Sequence, residues 1–337
     1  MDKSSTLYYF VINPNAGTRR EQKRLLDGIV KGCGAAGCEY VLYETVKAGD
    51  GGDFMFRTVM ETAGQYGGDA EKMPDMRFFF AGGDGTVLES ANAFMRLPEQ
   101  FRKGKVAAGI IPVGTGNDFL RNFGEAKDFL NIERQLKGTT TFVDLMKYER
   151  SVTDQAADNK SETYYCANMF NIGFDCQVVV KVNNLRGRPL MNKTFAYPIG
   201  VAITLIRLPH TKLKVTFDSG EVFEGKYLLT LAANGAYCGG GFYAASEAKP
   251  DDGIIDVISV NPLGRFKFIS IVGKYKKGTL LGTPLADKIL KLRKCRSLRI
   301  EAESDEDVCV DGEIERFRTI DISAEPKAFC FIVPEKD

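Results

Sequence analysis

Several features on which many enzymes and binding proteins depend are scarce or absent in this sequence. Only one histidine is present, His210, so histidine-dependent acid–base chemistry is not expected and carboxylates must carry any catalysis. The eight cysteines are scattered without a CxxC pair, which excludes a zinc-finger-type site and, with no export signal, predicts reduced thiols in a cytoplasm. No apolar run reaches the roughly 18–20 residues that span a bilayer. A net charge of +1 argues against nucleic acid as the main partner.

The composition that remains is that of an ordinary globular protein. Hydrophobic residues make up 44% of the chain and charged residues 26%. With 337 residues the chain is too long for one typical core, so two domains are expected. We predict an α/β domain over residues 1–140, completed by about 320–337, and a β-rich domain over 141–319.

The stretch Phe78–Asn92, FFFAGGDGTVLESAN, is the centre of the predicted first domain. Phe78–Ala81 is typical of a buried strand, and a helical pattern runs from Val87 to Phe94. The glycines of residues 82–86 let a ligand approach the main chain, and the helix start offers N–H groups to an anion. Asp84 in such a phosphate loop would repel the ligand without a divalent cation. The stretch therefore predicts a phosphate loop with a metal-binding carboxylate, and a plain glycine-rich turn is the alternative.

Two more strands end in polar turns that are expected to open into helices. Leu7–Ile12 leads into NPNAG (13–17) and a helix predicted over Arg19–Val30, and Val106–Ile111 leads into PVGTGNDF (112–119). Alternating strands and helices imply a parallel sheet. The three turns would then share the carboxyl edge of the sheet, where open α/β sheets bind ligands.

After Thr139 the pattern becomes one of strands separated by polar turns, which predicts a mainly antiparallel domain with helices at Thr194–Ile206 and Leu263–Lys277. Ala328–Val333 is typical of a buried strand that returns to the first domain. The predicted strands of the second domain are Phe142–Tyr148, Thr163–Phe170, Lys212–Phe217, Glu221–Leu231, Ile254–Val260, Leu298–Glu303 and Glu306–Val310.

The segment 194–206 contains no charge, so it is either a core helix or an apolar wall for an acyl chain. Two groups of basic residues, Arg186 with Arg188 and Lys193, and the cluster 288–299, are either solvated faces or sites that attract anionic lipid head groups.

Seven short motifs follow one another along most of the chain: NPNAG (13–17), GGDGT (82–86), PVGTGNDF (112–119), VDL (143–145), NIGFD (171–175), DDGIIDV (251–257) and DGE (311–313). With these motifs the chain resembles the bacterial members of the diacylglycerol kinase family of soluble lipid kinases, which also includes sphingosine and ceramide kinases. GGDGT alone is shared with NAD kinases. Its combination with PVGTGNDF and a late DGE is far more specific.

The resemblance implies an α/β nucleotide-binding N-terminal domain with a parallel sheet and a mainly antiparallel, β-sandwich-like C-terminal domain, with the active site in the cleft between them. It also implies an ATP- and magnesium-dependent kinase for a lipid hydroxyl, with diacylglycerol giving phosphatidic acid as the first expectation. A kinase for another lipid alcohol, such as a sphingoid base or phosphatidylglycerol, is the alternative enzyme. The implied ATP contacts are Asn13, Pro14, Asn15, Ala16, Gly17, Thr45, Gly82, Gly83, Asp84, Gly85, Thr86, Val87, Leu88 and Thr115.

The family pattern places a catalytic magnesium network on Asp84, Asp144 and Asp311, with Glu313 as the proton acceptor. It places a second, structural cation on Asp252 and the main-chain oxygens of Lys249 and Ile254. The residues alone leave other roles open: Asp144 in a turn or cap, Asp311-Gly312 as a hairpin turn, and 249–253 as a plain loop. Alternation along an extended segment would send Asp311 and Glu313 to one face.

Three residues depart from the family pattern: Leu88 stands where Asn is usual, Ala16 where Ser is commoner, and Met146 where Gly is usual. None of the three is one of the implied catalytic carboxylates. These departures therefore bear on which substrate is bound more than on whether the protein is active. A Walker-type lysine is also missing, so the metal would carry more of the γ-phosphate charge.

The expected partner is a lipid substrate reached by peripheral attachment to a membrane from the cytoplasm. Nucleic acid is not expected as a partner, and a homodimer is considered without being required. A nucleotide- or lipid-binding sensor without catalysis is the alternative from another class, although a pure binder would not need Glu313.

Overall fold

The computed structural model describes residues 6–14, 16–113, 116–153, 162–186 and 193–336. By their internal contacts the residues form two compact units, Met1–Leu145 with Pro326–Asp337, and Met146–Glu325. The unit boundaries fall within two long strands, β5 (Thr139–Ser151) and β14 (Glu313–Val333). Among the described residues, no helix is both long and apolar enough to cross a membrane.

The first unit alternates strands and helices, as predicted. Its further elements are β1 (Leu7–Ile12), α1 (Arg19–Ala36), β2 (Tyr40–Glu44), α2 (Asp50–Gln65), β3 (Met76–Gly82), α3 (Asp84–Arg96), α4 (Glu99–Arg102), β4 (Val106–Pro112) and α5 (Ile132–Leu136). Strand β1 pairs in parallel with β2 and β3, and β3 pairs in parallel with β4. The end of β14 joins the other side of β4, also in parallel, through Phe331 and Ala108. The predicted parallel sheet is confirmed.

Strand β3 lies in the middle of this sheet because its side chains are apolar on both faces. Phe78 stacks on Tyr9 with ring centroids 4.5 Å apart, and on the other face Phe79 stacks on Phe10 at 5.2 Å. All four rings are buried. Burial on both faces is typical of a parallel strand covered by helices. It fixes the position at which β3 ends and the glycine-rich loop begins.

The helix expected directly after residues 112–119 was a wrong prediction. The chain forms two short 3-10 turns there, Leu120–Asn122 and Asp128–Leu130. Between them the Asp128 carboxylate accepts the N–H of Glu125 at 3.0 Å, and Gly124 lacks the helix propensity to bridge the two turns. Phe123 packs against Phe331 instead, with ring centroids 5.0 Å apart.

The second unit is mainly antiparallel, as predicted. Its further elements are β6 (Tyr164–Cys166), β7 (Met169–Gly173), α6 (Phe174–Arg186), α7 (Lys193–Arg207), β8 (Thr211–Phe217), β9 (Val222–Tyr227), β10 (Leu229–Ala233), β11 (Ile255–Val260), α8 (Arg265–Lys276), α9 (Ala286–Ile289), β12 (Leu290–Cys295) and β13 (Ser297–Val310). Strand β7 pairs with β10 and β13, β11 pairs with β10 and β12, and β13 also pairs with β8 and β14, all antiparallel.

Helix α6 was not predicted from the sequence. Its run of valines favours a strand by propensity. The buried residues Val178, Val182 and Leu185 nevertheless recur at helical spacing and place one apolar face in the core of the unit. The predicted helices at 194–206 and 263–277 are confirmed as α7 and α8. Part of the basic cluster 288–299 forms strand β12, which was also not predicted.

Candidate active site

The Asp84 carboxylate lies where two glycine-rich turns meet at the carboxyl edge of the first unit's sheet. Gly83 is extended, so Asp84 is the first residue of α3. Its Oδ1 atom accepts the main-chain N–H of Asp118 at 2.7 Å and that of Phe119 at 3.4 Å. A Cβ atom placed on Gly116 would lie 2.5 Å from Asp84 Oδ2, so only glycine lets the second turn come this close. The carboxylate is thereby oriented by main-chain groups.

The loop that precedes α3 is closed by contacts to Gly82. The Thr86 hydroxyl lies against the Cα of Gly82, where any Cβ atom would overlap it. The Gly82 carbonyl accepts the N–H of Val113 at 2.9 Å. The first N–H groups of a helix have no partners within the helix and carry its positive end. Residues 82–88 therefore present an anion-binding helix start beside the Asp84 carboxylate.

The turn after β1 is drawn to the same edge. The carbonyl of Asn13 accepts the N–H of Ala16 at 3.0 Å and the side-chain amide of Gln22 at 2.9 Å. Gly17 has a φ of 72°, and a Cβ atom on it would lie 3.3 Å from the side chain of Val113. The turns after β1, β3 and β4 thus lie together, as the predicted sheet edge requires. Two predicted ATP contacts, Asn15 and Thr115, lie outside the described residues.

The turn after β2 is held by carboxylates for which no role was predicted. The N–H of Thr45 donates to the carbonyl of Ile12 at 2.9 Å. Buried Asp50 accepts the N–H of Val46 at 2.9 Å, and Glu89 accepts the N–H of Gly52 at 2.9 Å from the middle of α3. These bonds fix the loop that carries Thr45 relative to α3.

Asp118 is a further charged residue of this edge that the sequence interpretation overlooked. Its N–H orients Asp84, and its carboxylate lies 3.5 Å from the guanidinium of Arg121. The signal was available, because Asp118 is part of the PVGTGNDF motif that the sequence analysis singled out.

Asp144 is buried and holds an unusual backbone conformation in place. Its Oδ1 atom accepts the N–H of Lys327 at 2.7 Å, and Lys327 has a φ of 53°. A non-glycine residue with positive φ costs conformational energy, which a charge-assisted hydrogen bond offsets. This is the turn-type role that the sequence had left open. A magnesium role for Asp144 stays a prediction.

Asp311 is buried in the second unit at the tip of the β13–β14 hairpin. Val310 and Glu313 pair across a two-residue turn whose φ angles, 47° at Asp311 and 93° at Gly312, match the type I′ turn that Asp-Gly favours. The side chain turns inward and accepts main-chain N–H groups from consecutive residues. The donors are Ala167 at 2.7 Å, Met169 at 2.9 Å, Asn168 at 3.0 Å and the Cys166 thiol at 3.2 Å.

The bonds to Asp311 explain why the predicted strand Thr163–Phe170 is broken into β6 and β7. The N–H groups of Ala167 and Asn168 donate to the carboxylate rather than to a neighbouring strand. Burial raises the pKa of the Asp311 carboxyl, and the N–H groups of Met169 and Ala167 oppose that rise. Three of the four donors bond to Oδ1 and only the N–H of Ala167 bonds to Oδ2, so a direct metal bond to Asp311 would form at Oδ2.

Glu313 lies on the exposed side of the same hairpin. The expectation that it shares a face with Asp311 was wrong, because the chain reverses between them and alternation holds only along a continuous extended segment. Two residues further along, Glu315 accepts the hydroxyl of Tyr148 at 2.8 Å and pairs with the guanidinium of Arg150 at 2.6 Å. Burial, followed by the charge of Glu315, raises the pKa of Tyr148.

The predicted structural-cation loop forms a turn closed by its own aspartate. The Asp252 Oδ1 atom accepts the N–H of Ile254 at 3.0 Å, and Gly253 has a φ of 73°. This hydrogen bond suits a plain Asx turn. It also leaves the exposed side chain of Asp252 and the nearby carbonyls of Lys249 and Ile254 as hard oxygen ligands, so a cation at this loop stays a prediction.

The Asp175 carboxyl, which ends the NIGFD motif, was given no role from the sequence. The hydroxyl of Tyr275 donates to it at 2.9 Å. Burial raises the pKa of Asp175 to about 6, and the Tyr275 hydrogen bond opposes that rise. This carboxyl belongs to the second unit, where it links α6 to α8.

The arrangement of the acidic side chains decides whether they can hold magnesium. Within either unit, the described residues contain no group of three Asp, Glu, His or Cys side chains placed to hold a metal ion. Magnesium needs only one or two carboxylates when water and phosphate oxygens complete its six ligands. Asp84 fits that requirement, because it stands beside an anion-binding helix start and is oriented by two N–H donors.

Two family models match the chain. The diacylglycerol kinase catalytic domain matches residues 8–148, and the YegS C-terminal NAD kinase beta sandwich-like domain matches residues 168–333. The two matches correspond to the α/β part and the antiparallel part of the fold.

Individual relatives agree with these matches. The chain is 26% identical over 308 residues to a diacylglycerol kinase of Staphylococcus saprophyticus, covering 90% of this chain and 87% of the relative. It is 26% identical over 264 residues to a "Probable lipid kinase YegS-like" of Shewanella frigidimarina, covering 77% of this chain and 76% of the relative. The crystal structure of a diacylglycerol kinase from Bacillus anthracis superposes with a TM-score of 0.66 at 22% identity, covering 99% of this chain and 98% of that one. At this identity the superposition shows the fold alone.

Proposed function

Because the chain belongs to the family of diacylglycerol and related lipid kinases, we propose that it transfers the γ-phosphoryl group of ATP to the hydroxyl of a membrane lipid, with diacylglycerol as the substrate. The products are then phosphatidic acid and ADP, and one proton leaves the lipid hydroxyl. The observation that carries the proposal is the Asp84 carboxylate, oriented by the N–H of Asp118 beside the start of α3.

The proposal assigns phosphate binding to the first unit. The N–H groups at the start of α3 and the hydroxyl of Thr86 bind phosphate oxygens, since a helix start and a glycine-rich loop form an anion site. Asp84 holds magnesium, which when bound neutralises part of the phosphate charge. Phosphoryl transfer depends mainly on such positioning and charge neutralisation, so these groups suffice without a Walker-type lysine.

The second unit contributes the proton acceptor. Glu313 is an exposed carboxylate that follows the β13–β14 turn, so a lipid hydroxyl can reach it. The buried Asp311 fixes that turn through its bonds to residues 167–169. Because the transition state is loose, Glu313 acts as much by positioning the hydroxyl as by its basicity.

The test is a phosphorylation assay with purified protein, labelled ATP, magnesium and single lipids in mixed micelles. We expect labelled phosphatidic acid from diacylglycerol, identified by mass spectrometry, and no such product from the Asp84→Asn variant. Labelled product from a sphingoid base or phosphatidylglycerol alone would show that the protein is a lipid kinase with a substrate other than diacylglycerol. ATP binding without any labelled lipid would favour the alternative function, a nucleotide- or lipid-binding sensor without catalysis.

A further inference from the structure

Two helices of the second unit carry exposed apolar side chains at adjoining ends. In α8, Phe266 is 92% exposed and Ile269 54% exposed, and at the end of α7 Ile206 is 68% exposed. The guanidinium of Arg265 donates to the carbonyl of Ile206 at 3.1 Å, so the end of α7 lies against the first turn of α8. We call Ile206, Arg207, Arg265, Phe266, Lys267 and Ile269 the α7–α8 patch.

The exposed residues of α8 are not the ones that hold the helix in the fold. The opposite face buries Phe268 and Ile271 in the core of the unit, and Phe268 packs on Phe174 with ring centroids 4.6 Å apart. Phe266 and Ile269, one helical turn apart, face outward together. Neighbouring exposed apolar side chains with no role in the core are typical of an interaction surface.

The charge around this patch has one sign. Residues 257–286, which include α8, contain five Lys and Arg and no Asp or Glu, and residues 176–210, which include α7, have the same counts. The rest of the chain contains 35 basic and 44 acidic residues. The net charge of +1 therefore conceals two stretches of sequence without acidic residues, one that contains α7 and one that contains α8, and a negative excess elsewhere.

The basic residues of the patch are also not neutralised by neighbours. On the adjacent strand β8, Lys212 pairs with Glu303 at 3.0 Å and Lys214 pairs with Glu301 at 3.4 Å. Within the described part of the chain, Arg207, Arg265 and Lys267 have no carboxylate within ion-pair distance. Exposed apolar side chains flanked by basic ones suit a protein surface that binds an anionic bilayer.

We propose that the α7–α8 patch is a membrane-docking surface for an anionic lipid bilayer. Phe266 and Ile269 enter the boundary between head groups and acyl chains, and the basic residues bind the head groups. A second copy of this chain is a poorer occupant, because a two-fold contact would place the same positive residues against one another. The inference rests on the proposed function only in that the substrate is a membrane lipid.

The first experiment measures binding of the full-length protein to vesicles of phosphatidylcholine with and without phosphatidylglycerol, in the absence of ATP. We expect the double variant Phe266→Ser with Ile269→Ser to bind anionic vesicles at least about tenfold more weakly. Arg207→Gln with Lys267→Gln should lose about fivefold per residue, and the loss should shrink at high salt. The matched controls, Val30→Ser with Val46→Ser and Lys212→Gln with Lys214→Gln, should bind like the parent protein.

The second experiment separates docking from catalysis by using two forms of the substrate. The apolar double variant should lose turnover on diacylglycerol in anionic vesicles and keep the parent's turnover on a dispersed short-chain diacylglycerol. Equal vesicle binding by the parent and both patch variants would overturn the docking surface and leave the kinase intact. Patch-dependent vesicle binding without phosphorylation of any lipid would overturn the kinase and support the docking surface. A dimer that dissociates when Phe266 is replaced would show that the patch binds a second copy, which overturns the proposal.

Discussion

The Asp311 carboxylate accepts the main-chain N–H of Met169 at 2.9 Å, and Asp311 in return donates its own N–H to the Met169 carbonyl at 3.2 Å. This reciprocal pair connects the tip of the β13–β14 hairpin to the start of β7. An aspartate that the sequence assigned to magnesium is therefore also a structural anchor. The predicted magnesium role and the observed structural role lead to different expectations on mutation.

Asp311→Asn should destabilise the second unit. Asn tolerates the positive φ of the turn, but its amide group would face N–H donors that now bond to a carboxylate oxygen. We expect the free energy of unfolding to fall by about 1–3 kcal/mol, as measured by denaturant titration. Glu303→Gln, an exposed change on β13, is the control. Unchanged stability with lost turnover would show that Asp311 acts only in catalysis.

Asp84→Asn should abolish turnover and leave the fold intact. The remaining side-chain oxygen can still accept the N–H of Asp118, whereas the charge that holds magnesium is lost. We expect turnover to fall by at least about a hundredfold with an unchanged Tm. Asp128→Asn is a matched control, because Asp128 also accepts a main-chain N–H, that of Glu125. Near-normal turnover of Asp84→Asn at saturating magnesium would remove Asp84 from the metal site.

The sequence was most informative where hydrophobic patterns and glycine-rich motifs coincide. Phe78–Ala81 followed by GGDGT predicted the central strand, the loop and the helix start in their observed order. The same rule failed after PVGTGNDF, because a turn made by Asp128 stops the helix and no hydrophobic pattern records such a local hydrogen bond. The valine-rich helix α6 was missed because packing in the core outweighs the strand propensity of valine.

The direction of the acidic side chains was the least predictable part of the candidate site. Asp144 and Asp311 lie in the predicted motifs, yet each accepts N–H groups of residues distant in sequence, Lys327 in one case and Ala167 in the other. Those partners become neighbours only after folding. A motif therefore gives the position of a carboxylate along the chain, and the fold decides which donors occupy it.

Asp252→Ala should lower stability and activity together without changing the affinity for ATP, if the loop holds a cation. Asp252→Asn separates the two functions of this side chain, because it keeps an acceptor for the N–H of Ile254 and loses the charge. We expect a chelator to lower the Tm of the parent protein and of the neighbouring control Asp251→Ala, but not that of Asp252→Asn. Equal Tm values of the parent with and without chelator would contradict a structural cation.

Asp175 should make stability depend on pH below neutrality. Its pKa of about 6 in the folded protein lies above the ordinary value of 3.8, so the folded state retains a proton that the unfolded state releases. Stability contributed by this group is complete below pH 3.8 and is lost as the pH rises through about 6. Asp175→Asn, which cannot ionise and can still accept the Tyr275 hydroxyl, should remove a loss on the order of 3 kcal/mol across that window. Parallel unfolding curves of parent and variant between these pH values would contradict the assignment.

The enzyme proposal depends most directly on Glu313. A general base must lie within about 2.6–3.2 Å of the hydroxyl it deprotonates and contributes roughly 10²–10⁴-fold. Glu313→Gln keeps the size of the side chain and removes its basicity, so we expect turnover to fall by at least about a hundredfold with nearly unchanged ATP binding. Glu303→Gln, an exposed carboxylate change on β13, should leave turnover unchanged.

The contrast with Asp311 decides between two assignments of the base. If Glu313→Gln retains most activity and Asp311→Asn is inactive although folded, Asp311 accepts the proton despite its burial and its four donors. If both variants retain activity, the hairpin takes no part in the reaction and the base lies elsewhere. Only loss of turnover in Glu313→Gln with an unchanged Tm supports the exposed carboxylate as the acceptor, because that side chain has no part in the buried bonds that hold the turn.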